Sequence, residues 1–203
     1  MKYILKYTRG AELKFISHLD TIRVFERAFR RANLPVAFSE GFNPHPKFSI
    51  ALPLALGHES LGELMELTLT QDLAPAEIKL KLNEVLPEGL KITEVKEYQD
   101  QRSLMSRVTG VVYQVLLNYP EEFLYHKKEI LLKQNPQILK KTKRGEKLVE
   151  FWQAVLDLEV ITGGIRVVIN LGENSLRPEE IVKVFLGELP EEASYLREKI
   201  ILS

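Results

Sequence analysis

The chain has no cysteine. That excludes disulfides and removes the thiolates that hold iron–sulfur clusters, so the protein cannot itself house a radical-generating cluster. Histidine is scarce. His18, His45, His58 and His126 show no metal-ligand spacing such as HxxxH, and neither metal nor cofactor is expected. No apolar run approaches the roughly 20 residues that span a bilayer, so no membrane segment is expected. The N-terminus, MKYILKYTRG, interleaves charges with apolar residues and lacks the apolar block of a signal peptide. The cytoplasm is the expected location. Gly163-Gly164 lacks the strand-to-helix setting of a nucleotide-binding glycine loop and reads as a turn.

There is no net charge, but the charge is unevenly spread. Residues 1–50 carry nine Lys/Arg against four Asp/Glu, and residues 51–100 four against ten. A neutral total can therefore hide a basic face, which is what an anionic partner meets.

The first half reads in alternating periods. KYILKYT (2–8) alternates as a strand. Ser17 reads as a helix N-cap with Asp20 as its capping-box partner. Ile22, Phe25, Ala28, Phe29 and Ala32 make one helical stripe, and Pro35 stops the helix near Asn33. VAFS and KFSIALPL compete to be the second strand, and the longer KFSIALPL is preferred. ELMELTLT (63–70) is a strand, Pro75 opens a helix to about Leu86, and LKITEVKEY (90–98) is a strand. The order β-α-β-β-α-β is the ferredoxin-like one.

The second half repeats it more loosely, with one extra strand. It has a strand at 110–119, a helix at 120–134 and a hairpin around Arg144-Gly145. A second hairpin spans 153–172, a helix starts at Ser175, and 197–203 is a strand. The expected fold is α+β: two ferredoxin-like halves, 1–98 and 110–203, with antiparallel sheets packed by helices and a polar linker at 99–109. Phe151 and Trp152 are expected in the core.

Residues 17–48 concentrate the groups without a packing use. Arg23, Arg27, Arg30 and Arg31 lie off the apolar stripe, where planar guanidiniums suit phosphates and stack on bases. Lys2, Lys6, Arg9, Lys14 and Lys47 add positive charge to the same stretch. The alternative is a solvated helix face with a Glu26–Arg30 pair. In GFNPHP, Gly41 allows a turn, and Pro44 and Pro46 stiffen Asn43 and His45. Asn43 can bond a base or phosphate, and Phe42 or His45 can stack. The alternative is a structural loop with Phe42 plugging the core. His18 and Asp20 at the helix start are either capping residues or acid/base or ligand groups. No catalytic residue can be assigned. The basic tip KKTKRGEK (140–147) is a solvated turn or a contact to RNA backbone.

The run SHLD, then RxxERAxRRAxLP, then SxGFNPHP, then PLALG and a downstream Glu resembles the radical-SAM-linked protein family, a bacterial domain of unknown function of the DUF2344 type. The matching positions run from Ser17 to about Glu66. Members of that family occur beside, or fused to, radical SAM proteins with a cobalamin-binding type domain. They are also associated with a ribonuclease of the E/G type and with ribosomal-protein genes. The resemblance therefore implies an accessory to a nearby radical SAM protein, in RNA modification, and carries over no catalytic residue. A more distant likeness, to RNA-binding tandem ferredoxin-like proteins of CRISPR systems, is analogy only.

Three functions are expected to compete. The first is a non-catalytic accessory that binds tRNA or rRNA through Arg23, Arg27, Arg30, Arg31, Phe42, Asn43, His45 and Lys47. The second is an adaptor that docks these residues on the radical SAM partner without nucleic acid. The third is a small enzyme or ligand-binding domain using His18, Asn43 and His45.

Overall fold

A computed structural model of the chain describes residues 1–142 and 145–203, and the side chains of all of these except 141 and 142. The chain divides into two compact units, Met1–Val108 and Thr109–Ser203. The architecture is α+β, with mostly antiparallel sheets packed by helices. Among the described residues, no helix is long and apolar enough to cross a membrane.

The first unit is built on β1 (Lys2–Arg9), whose alternate residues are buried, as a strand with one face on a core requires. Then come α1 (His18–Arg31), β2 (Phe48–Ile50), β3 (Glu59–Thr68), α2 (Pro75–Asn83) and β4 (Leu90–Glu97). β1 lies antiparallel between β3 and β4, with Leu5 opposite both Met65 and Val95. β2 pairs with the other side of β3, Phe48 facing Leu67 and Ile50 facing Met65. The resulting order β4-β1-β3-β2 is that of a ferredoxin-like sheet. α1 and α2 bury Phe25, Phe29, Ile78 and Leu82 against Tyr3, Leu5, Met65, Leu67 and Ile92. Aromatic edges fix the seam. Tyr7 meets Phe25 at 4.9 Å, and Phe29 meets Phe48 at 5.1 Å, both T-shaped.

KFSIALPL thus supplies the second strand, but only three residues of it. VAFS makes isolated bridges alone, Val36 to Leu69 and Phe38 to Pro46. The polar run 99–107 is folded. Leu104 is buried, its N–H donates to Glu66 Oε2 at 3.1 Å, and Asp100 pairs with Arg102 at 2.9 Å.

The second unit follows the same plan with an insertion. β5 (Val108–Leu116), α3 (Glu121–Gln134), β8 (Val155–Ile161), β9 (Gly164–Asn170), α5 (Pro178–Leu186) and β10 (Ser194–Leu202) give the order β10-β5-β9-β8. Between α3 and β8 stand β6 (Gln137–Thr142), β7 (Gly145–Glu150) and the short α4 (Phe151–Ala154). β6 and β7, the antiparallel pair expected as a hairpin here, form a separate two-stranded sheet and are the two strands by which this half exceeds the four-strand plan. The expected turn at Arg144-Gly145 and the tip of the basic hairpin lie partly outside the described residues. Phe151 is buried and Trp152 half-buried, the rings 5.0 Å apart.

Gly163-Gly164 is the β8–β9 turn. Gly163 takes φ 78, and a Cβ on Gly164 would stand 1.9 Å from the main-chain oxygen of Val115. The last helix begins at Pro178 rather than at Ser175. Ser175 is spent in a turn, its N–H donating to Gly172 O at 3.1 Å. The Glu180 carboxylate accepts from the N–H of Arg177 at 2.7 Å and caps the helix there.

Candidate nucleic-acid interface

α1 is a strongly two-sided helix. Ser17 Oγ accepts the N–H of Asp20 at 3.1 Å and caps it. The Ser17 hydroxyl first, and then Arg23, hold the Asp20 carboxyl below the ordinary carboxylate range. Thr21, Phe25, Ala28 and Phe29 are buried, so the 3.6-residue period sends Arg23, Arg27, Arg30 and Arg31 to the exposed side. Arg23 pairs with Asp20 at 3.0 Å. Arg31 donates to the main-chain oxygen of Val85, just past α2. Arg27, Arg30 and Arg31, with Val24 and Pro87, line an open groove of about 440 Å³.

The helix ends on a left-handed residue. Asn33 has φ 49, and the N–H of Leu34 returns to Phe29 O at 3.1 Å, the six-to-one bond of a Schellman cap. Two residues on, Val36 bridges Leu69, and the Ala37 N–H donates to Thr68 O at 2.9 Å. The loop closes like a hairpin. Ser39 N donates to His45 O at 2.8 Å, and His45 N donates to Ser39 Oγ at 3.0 Å. Residues 40–45 between these anchors are exposed, with Gly41 at φ 121. Phe42 is fully exposed and plugs no core, which removes the structural reading of that ring. Lys47 is exposed at the loop's exit.

The loop is therefore rooted at the C-terminal end of α1, the end that carries Arg30 and Arg31. His18 and Asp20 stand at the other end, about 20 Å away by helical rise. The length of α1 thus separates His18 from the loop that carries Asn43 and His45. Nor does every cation of this stretch reach the surface. Arg9 is buried, with Nη2 donating to Ala55 O at 2.8 Å and His58 O at 3.1 Å, and it is withdrawn from the basic face. His58, Ser60 and Glu63 are buried too. The signal for Arg9 was in the alternation, because it continues the inward series Tyr3, Leu5, Tyr7. Lys2 pairs with Glu66 at 3.3 Å, and Lys14 lies 5.4 Å above the Phe15 ring. Val24 and Pro87 were not anticipated. Pro87 is far from α1 in sequence, and only packing brings the two together.

Among the described residues, no three His, Cys, Asp or Glu side chains gather as a metal-binding group. Residues 2–184 match the family model described as an uncharacterized protein conserved in bacteria, DUF2344. The chain belongs to the DUF2344 family. The match takes in α1, the 41–47 loop and Pro87. No curated protein matches the DUF2344 chain. Among solved structures, it is similar to the crystal structure of an unknown protein from Galdieria sulphuraria. That similarity has 13% identity over 99% of this chain and 98% of the other, with a TM-score of 0.30.

Proposed function

We propose that this DUF2344 protein is a non-catalytic, cytoplasmic accessory that binds tRNA or rRNA and presents it to a radical SAM partner for modification. The observation that carries the RNA reading is the exposure of four arginines along α1, with a stiff loop bearing Phe42, Asn43 and His45 at that helix's C-terminal end. Guanidiniums bind phosphate oxygens in a planar fork, and an exposed ring offers a base a surface to stack on. The radical SAM partner is drawn from the family resemblance.

The test is binding of labelled tRNA and rRNA fragments at low salt. The wild type binds, with affinity falling as salt rises. The Arg23/Arg27/Arg30/Arg31→Ala variant binds weakly, with a shallower salt dependence. Absent binding, or binding unchanged in the variant, removes the reading. Phe42 also favours a second reading, an adaptor whose exposed ring enters a pocket on the radical SAM protein. Co-purification of the two proteins that survives nuclease treatment and fails in Phe42→Ala supports it.

A further inference from the structure

The geometry points to a specific occupant for the groove beside α1: one unstacked nucleotide of a single-stranded RNA segment. The inference rests on the RNA reading above and narrows it. The described lining holds the guanidinium-bearing Arg27, Arg30 and Arg31 and no carboxylate, while Val24 and Pro87 supply an apolar surface. A lining that combines guanidiniums with apolar surface matches a ligand with an anionic edge and a flat apolar face. A nucleotide has both, but only when its base has left the stack. In a duplex the base faces are covered, only edges and backbone are presented, and the apolar surface would meet nothing.

Size agrees. About 440 Å³ lies in the range of pockets that take small organic ligands, roughly 300–1,000 Å³. The site is also partly set before binding. Arg31 is tethered to the Val85 main-chain oxygen, so less side-chain freedom is lost when a phosphate or base arrives. Val24, on α1, also packs against the hydrophobic core, so the apolar lining is continuous with it.

The experiment compares a fluorescein-labelled oligouridylate with a blunt RNA duplex of the same length, by anisotropy at one low salt concentration. The wild type is expected to bind the single strand about tenfold more tightly, the order of one base-stacking contact. Val24→Trp fills the groove without removing a charge. It should lose that preference while keeping the salt dependence of binding. Pro87→Trp fills the groove from the opposite wall and gives the same reading if the helix substitution disturbs folding, which circular dichroism monitors. Equal wild-type binding of single strand and duplex overturns this inference and leaves the RNA reading standing. So does a preference that survives in a folded groove-filled variant. Binding of neither RNA overturns both.

Discussion

Arg31, in the last turn of α1, donates a hydrogen bond to the main-chain oxygen of Val85, just past the end of α2. The contact ties the end of α1 to the turn that follows α2. Its neighbour Arg30 reaches the same groove. Both adjacent arginines line the groove, and Arg31 alone of the two also holds the Val85 main-chain oxygen.

Arg31→Ala is expected to lower stability by about 0.5–1 kcal/mol, because the exposed Val85 oxygen can turn to water. Arg30→Ala should leave stability within about 0.5 kcal/mol of wild type and flatten the logarithmic salt dependence of RNA binding by about 0.7, one phosphate contact on a single strand. Urea unfolding and salt-dependent anisotropy on the two variants check this. A larger stability loss in Arg30→Ala than in Arg31→Ala would contradict it.

Phe42 and Phe25 should separate function from stability. Phe25 is fully buried and meets both Tyr7 and Phe29. Its truncation to alanine is expected to cost about 3–5 kcal/mol in denaturant unfolding. Phe42→Ala removes a ring that touches no core, so its unfolding midpoint should not move, while RNA affinity falls by about 1–3 kcal/mol if the ring stacks on a base. A shifted midpoint would show that the ring packs somewhere in solution.

Glu198 sets an expected pH dependence in the second unit. The Arg166 guanidinium, 2.7 Å away, holds the Glu198 carboxyl below the usual carboxylate value, with the Gln114 amide as a lesser cause. Between the folded and unfolded values the unfolded chain binds more protons, so this stability is present above about 4.5, the ordinary glutamate value, and is lost as pH falls through the lower folded value. Urea midpoints of the wild type and Glu198→Gln should differ at neutral pH and converge in that acidic window. A gap that widens on acidification would reverse the sign.

Much of the frame was legible because it rests on local repetition. The two-residue period of 2–8 and the Ser17 cap with its apolar stripe need no distant partner to be recognised. The same holds for the turn chemistry around Gly163-Gly164. The misses share a cause. Arg9 looked like one more surface cation, yet its strand position faces inward and backbone oxygens from residues 55 and 58 receive it. Ser175 looked like a cap, but Glu180 reaches Arg177 and sets the helix start later. The added strand pair between α3 and β8 is its own sheet, and no period within it says whether it joins the main one.

Residues 17–48 show the division most plainly. Their sequence alone determined a capped helix with arginines opposite its apolar stripe, followed by a loop stiffened by two prolines. Those features depend on bonds and sterics within a few residues. Only the tertiary structure decided where that loop stands. Phe48–Ile50 pairs with β3, which roots the loop at the arginine-bearing end of α1 and leaves His18 at the other. Only the structure brought Pro87 to the arginines. Strand pairing and helix packing join residues tens of positions apart, and a local pattern carries no record of that choice.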